Sequence, residues 1–196
     1  MHREGHVGLT LLFFSVFSYI LNFWSNILLF IALIFSVIPD YDIYLTGMRK
    51  TFKILAIVST ILTIPIFLYQ NFTLLIIPIS LYLLYLMSEH RAFSHTLAFA
   101  ILCGTFMGFF TLKVFGDFTV GFFGSFLGIS SHIIGDLLTY KPFSPLYPFY
   151  KRKIAFKFIK SSNPIANKFL LISGLIALII LYKGGTILRC AIDLIR

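Results

Sequence analysis

The chain has 196 residues, of which 59% are apolar and only 12% charged, with a mean hydropathy of +0.95. A soluble domain averages about 45–50% apolar and about 25% charged, so a soluble globular enzyme, a disordered chain and a coiled coil are excluded. The fold class expected is all-α: a polytopic transmembrane helical bundle of about six to seven spans, formed as a single integral membrane domain over residues 1–196. The net charge of +9 does not by itself imply nucleic acid, because basic loops give membrane proteins the same balance; no nucleic-acid partner is expected.

The chain begins with a short basic stretch and an apolar run, as a signal peptide does. No small-residue cleavage site follows, so a retained span is expected. Apolar segments are read at roughly 7–21, 26–39, 52–69, 72–88, 93–115, 118–138 and 168–183. The first two are short, about 22 Å each at 1.5 Å per residue. Asn22, Ser25 and Asn26 favour turns, so a hairpin is preferred to one long tilted helix. Pro65 and Pro78 are tolerable as kinks in membrane helices. The main polar stretch is a basic loop at about 140–167. Cys103 and Cys190 lie in apolar surroundings with no CxxC and are read as packing residues.

If every span crosses, the N-terminus and the loops 40–51, 89–92 and 139–167 share one side. That side carries Arg3, Arg49, Lys50, Lys53, Arg91, Lys141, Lys151, Arg152, Lys153, Lys157, Lys160 and Lys168, leaving Lys113, Lys183, Arg189 and Arg196 opposite. The positive-inside rule makes the first side cytoplasmic. The protein is therefore expected to be a multi-pass cell-membrane protein with its basic loop on the cytoplasmic side.

The same side collects all five histidines (His2, His6, His90, His95 and His132) together with Glu4, Asp40, Asp42, Glu89 and Asp136. Ionisable groups near membrane depth are costly and mark function. His2 and His6 share a helix face if the helix starts early. In Pro39-Asp40-Tyr41-Asp42, Pro39 ends an apolar run and an extended stretch points both carboxylates one way. In His90-Arg91-Ala92-Phe93-Ser94-His95-Thr96, His95 is placed in the first turn of a helix that Ser94 or Ser88 caps. His132 and Asp136, four apart, share a helix face. Each piece alone is also what a hydrogen-bonded helix end would show. Jointly they supply imidazoles and carboxylates for a divalent metal: zinc first, manganese or iron as alternatives, as one ion or two sharing a carboxylate.

In order and spacing, Gly5-His6, Ile38-Pro39-Asp40-Tyr41-Asp42, His90 through Thr96, and Ser131-His132-Ile133-Ile134-Gly135-Asp136-Leu137-Leu138-Thr139 running into Pro145-Leu146-Tyr147-Pro148 resemble the YdjM-like membrane-bound metal-dependent hydrolases. The resemblance covers roughly residues 5–160. It implies an all-helical membrane protein with a metal site and hydrolase activity, and a distant relation to zinc-dependent phospholipase C enzymes. The chain departs from the family pattern at Ile43, where many relatives have a further histidine. It departs again near Pro142, where a glycine is common. His2 has no clear counterpart. These departures bear on the number of ions.

The expected metal ligands are His6, Asp40, Asp42, His90, His95, His132 and Asp136. A metal makes water a nucleophile at neutral pH, which suits attack on a phosphoester of a lipid or lipid-linked substrate. Asp40 or Asp42, whichever does not coordinate, is the expected base or water-orienting group. Arg91 is expected to clamp phosphate, and Thr139 and Lys141 to contact a headgroup. The basic-aromatic stretch Phe149 to Lys160 is expected to attract anionic headgroups, so membrane lipids are the expected partners. The oligomeric state is left open. Two other readings use the same residues: a metal-ion or proton carrier, whose residues belong nearer the midplane, and a membrane metallopeptidase or amidase, for which the HExxH signature is absent.

Overall fold

The computed structural model describes residues 1–21, 23–41, 50–51, 53–55, 57–58 and 93–195. Most of the expected third span (52–69), all of the fourth (72–88), and Asp42, His90 and Arg91 lie outside the described residues. Among the described residues the regular elements are all helical: α1 (Arg3–Ile20), α2 (Asn26–Phe35), a 3-10 turn (Ile38–Tyr41), α3 (Leu97–Phe115), α4 (Phe118–Leu137) and α5 (Pro164–Ile195).

The break between α1 and α2 settles residues 7–39 as two helices. Ser25 caps α2, its hydroxyl accepting from Leu28 N at 3.2 Å. Trp24 Nε1 donates to Asn26 Oδ1 across the same turn. Ser and Asn leave their side chains free to satisfy a helix start, which is why the chain turns here. The α3–α4 turn uses a different device. Gly116 closes α3 at φ +74°, a left-handed conformation that a side chain would strain. Asp117 then opens α4, accepting from Thr119 N at 2.7 Å and Thr119 Oγ1 at 2.6 Å. The Thr119 hydroxyl bond leads the causes that hold the Asp117 carboxyl below its ordinary range.

Among the described residues, three helical stretches are long and apolar enough to cross a membrane: Leu97–Phe115, Phe118–Leu137 and Pro164–Lys183. With only ten residues, α2 spans about 15 Å, half of a bilayer core. α1 carries Arg3 and Glu4 in its first turn.

Close helix approach here depends on small residues, as it does where lipid removes the hydrophobic drive between helices. α1 and α5 meet at Gly8 and Gly174. A Cβ on Gly8 would collide with the Leu170–Leu171 backbone, and one on Gly174 with the Gly8 carbonyl. Between α2 and α4, Gly124 and Gly128 abut Ile31 and Ala32. One core cluster joins Phe14, Leu28, Ile31, Ala32, Val120 and Leu127. A second, made of Phe99, Ala100, Ile129, Ile133 and Phe143, lies nearer the end where the histidines gather.

The antiparallel order brings the starts of α1, α3 and α5 to one end of the bundle, with the ends of α2 and α4. Residues 139–163 close that end. Leu97 N donates to Pro145 O at 2.9 Å, tying the loop to the start of α3. Phe156 N donates to Leu137 O at 2.7 Å, and both Phe158 N and Ile159 N to Leu138 O at 3.0 Å. These bonds satisfy carbonyls that the end of α4 would otherwise leave without partners.

Candidate metal centre

α4 supplies two of the candidate groups from its last turns. His132 and Asp136 are one helical turn apart, and both are fully buried. Between them, Gly135 leaves room for a third: a Cβ there would sit 3.0 Å from His6 Nδ1. His6, from the first turn of α1, accordingly stacks on the His132 ring, with centroids 3.7 Å apart and planes at 10°.

The orientation of His132 is fixed by the end of α2. Its Nδ1 lies 2.7 Å from the Ser36 carbonyl oxygen. A carbonyl only accepts, so Nδ1 carries the proton, and in the neutral ring Nε2 carries the lone pair. Ser36 caps the C-terminus of α2, where carbonyls lack intrahelical partners. One bond therefore completes a helix end and selects a tautomer able to bind a metal.

His95 approaches from the start of α3. It does not lie in the first helical turn, as the sequence suggested, but in the turn just before it. Thr96 is the cap, accepting from Phe99 N at 3.1 Å. Ser94 is thereby released to bond His95 Nδ1 at 3.0 Å. Thr outcompetes Ser94 for the cap because its own carbonyl and hydroxyl fall at the first non-helical position. His95 Nε2 lies 3.3 Å from His132 Nε2 and 3.4 Å from Asp136 Oδ2. On the other side, Asp136 Oδ1 lies 3.4 Å from His6 Nε2 and 2.7 Å from the Met1 amino group.

Asp40 completes the group from the 3-10 turn, with Oδ1 3.7 Å from His132 Nε2. It is 21% exposed, whereas the three histidines and Asp136 are fully buried. The extended stretch expected around Asp40 is instead a tight turn, because Asp40 N bonds back to Val37 O at 3.2 Å.

Two overlapping triads have donor atoms all within 4.8 Å of one another: His6, Asp40 and His132, and His95, His132 and Asp136. These buried His/Asp groups can hold a metal ion. The fit is chemical as well as geometric. Two carboxylates and three imidazoles offer a mixed N/O donor set of the kind zinc accepts. The buried Asp136 carboxylate is offset in part by the Met1 amino group 2.7 Å away. With Nδ1 engaged, His132 presents a single lone pair. Asp136 instead turns one oxygen towards His6 and the Met1 amino group and the other towards His95.

Of the expected site residues, the structure brings together His6, Asp40, His95, His132 and Asp136. Thr139 is buried, with its hydroxyl donating to Asp136 O at 2.8 Å. Lys141 is exposed. His2 does not share the fate of His6: it precedes α1 as its N-cap residue and is exposed.

Three contributors escaped the sequence reading. The Ser36 carbonyl has no side-chain signature. Phe143 walls the site with its ring 6.0 Å from that of His95. Asn167, only 1% exposed, donates to Ser161 O and Asn163 O and accepts from His2 N at 3.3 Å. It thus ties the start of α5 to the start of α1. A polar residue in the first turn after Pro164, just before the apolar run that starts at Phe169, was the available signal.

Neither the curated proteins nor the solved structures include a match to this chain. The family model of the YdjM inner membrane protein matches residues 1–191. All the clustered histidines and aspartates fall within that match, and the chain belongs to the YdjM inner membrane protein family.

Proposed function

We propose that this protein is a membrane-embedded metal-dependent hydrolase acting on a phosphoester of a lipid or lipid-linked substrate. The observation that carries the reading is the convergence of three imidazoles and two carboxylates, from four separate segments, at one end of an apolar bundle. His6, His95, His132 and Asp136, with Asp40, would hold one or two divalent ions, zinc first and manganese or iron as alternatives. Such an ion supplies Lewis acidity and makes water nucleophilic at neutral pH.

The chain's own residues divide the remaining work. The Ser36 carbonyl and Ser94 orient His132 and His95. Asp40, 21% exposed, would take a proton from water where it does not itself coordinate the ion. The buried wall of Phe143, Ile133 and Phe99 shields the His95 side of the cluster from bulk water. Arg91 is the phosphate clamp in this reading, with Asp42 and His90 as further ligands; Thr139 and Lys141 are the candidates for headgroup contact.

The bundle crosses the membrane about six to seven times in this reading, as a single domain. The centre and the basic loop face the cytoplasm, by the excess of Lys and Arg on that side. The position of the cluster at helix ends supports chemistry at a surface-opening site over carriage through the midplane. The test is hydrolysis of phospholipids by the detergent-purified protein. Turnover that is lost on chelation and restored by zinc or manganese supports the reading. Turnover indifferent to chelation overturns it.

A further inference from the structure

Residues 149–160 form a strap that crosses the site end of the bundle. Its backbone is fastened at several points. Ile154 and Phe143 exchange N–H···O bonds at 2.9 and 3.3 Å, Lys157 N donates to Thr139 O at 3.3 Å, and Phe156 N donates to Leu137 O. Ser144 Oγ donates to Lys151 O at 2.9 Å. Lys157 adopts φ 60°, a left-handed conformation uncommon for a residue with a side chain. The strap is thus held in place, and one residue, Phe143, separates it from the His95 ring.

What the strap presents outward is unusual in two ways. Phe149 is 89% exposed, Phe158 73% and Phe156 58%, the rings of the last two 6.2 Å apart. Lys151, Arg152, Lys153, Lys157 and Lys160 are exposed among them. No acidic residue occurs anywhere from 137 to 192. Flexible loops in water do not hold bare phenylalanines beside fixed cations. Aromatic rings at acyl-chain level, with Lys and Arg at headgroup level, are what an interfacial segment uses. The strap also joins the end of one membrane-length helix to the start of the next, Leu137 to Pro164, which puts it at the membrane boundary.

We propose that this strap is a docking surface for anionic phospholipid headgroups, at the same end of the bundle as the His/Asp cluster, with its phenylalanines inserted among the acyl chains. The cations take the lipid phosphates, and the backbone fastening keeps them beside the cluster. The charge complementarity commits the surface to an anionic bilayer lipid. Each basic side chain near such a surface favours it about fivefold. The proposal rests on the membrane placement of the chain and not on its metal chemistry, so either can fail without the other.

The test uses the full chain in nanodiscs. Trp24 is the single tryptophan and sits at the α1–α2 turn, so Trp24→Phe clears the background and Phe149→Trp or Phe158→Trp adds a probe on the strap. Quenching is compared between brominated phosphatidylglycerol and brominated phosphatidylcholine at equal fractions. The expected result is strong quenching with a clear preference for phosphatidylglycerol. That preference weakens with salt and falls about fivefold or more when Lys151, Arg152 and Lys153 become Gln. Those three are exposed, so metal content and melting temperature stay unchanged and report that the variant folds. Equal quenching by both lipids overturns the proposal. Water-like emission with no quenching by either also overturns it, and points instead to a soluble polyanion such as nucleic acid.

Discussion

His132 and Ser36 are joined by one hydrogen bond of 2.7 Å, from imidazole Nδ1 to a carbonyl at the end of α2. That bond decides what the far side of the ring can do. With Nδ1 protonated, Nε2 turns a lone pair towards His95 Nε2 at 3.3 Å, Asp40 Oδ1 at 3.7 Å and Asp136 Oδ2 at 3.9 Å. When Ser94 accepts from His95 Nδ1, two imidazole lone pairs face each other. Only a shared proton or a cation relieves that arrangement.

The fit of His6 over α4 depends on the missing side chain at position 135. A Gly135→Val change places carbon within about 3 Å of the His6 ring and pushes it off His132. Metal affinity is expected to fall about 10–100-fold, as it does when a supporting contact of a ligand is lost. Zinc titration by competition with a chromogenic chelator reads it. Unchanged affinity would show that His6 does not ligate.

Asn167→Leu removes the amide that bonds Ser161 O, Asn163 O and His2 N. Three backbone groups then lose a partner, although Asn163 O keeps the bond from residue 167 N, at about 1–3 kcal/mol for each one that water cannot reach. A lower melting temperature in detergent is expected, with faster proteolysis before Pro164. Melting equal to wild type would mean that the junction of α1 and α5 is held elsewhere.

Gly8→Leu tests the close contact of α1 with α5. A side chain there meets the Leu170–Leu171 backbone, which cannot yield as a side-chain tip can. Overpacking typically costs about 1–3 kcal/mol. Weaker protection of α5 amides in hydrogen exchange is the expected readout. Wild-type protection would place α1 and α5 further apart.

The Asp117 cap gives a pH signature. Its carboxyl is held below its ordinary range, chiefly by the Thr119 hydroxyl. A depressed carboxyl stabilises the fold above its unfolded-state value, and that contribution is lost as pH falls through the lowered one. Asp117→Asn keeps a capping oxygen but cannot titrate. It is expected to melt close to wild type at neutral pH and to lose less stability on acidification. The effect is small because the group is exposed. Identical acid profiles would contradict the assignment.

The gathering of His6, Asp40, His95, His132 and Asp136 was legible because membrane segments carry ionisable groups only at a cost. Five such groups falling on one side of a span count was therefore informative. The hairpin at 22–26 was legible from its turn formers. What the sequence hid was how each ring is held. The Ser36 carbonyl and the backbone fastening of 156–159 are main-chain groups, which every residue has. Ser94 and Thr96 are both good caps, and the choice between them depended on where α3 begins, the least determined feature of any helix. The separation of His2 from His6 turned on the same point, since α1 starts after His2 and not before it.

The central claim is that the His/Asp cluster binds metal, and elemental mass spectrometry of the detergent-purified protein tests it most directly. Wild type, His95→Ala, Asp136→Ala and His2→Ala are measured together. The account predicts one or two equivalents of zinc or manganese in wild type and in His2→Ala, and loss of metal in both cluster variants. Absence of metal from wild type after reconstitution, or equal metal in all four proteins, would contradict it.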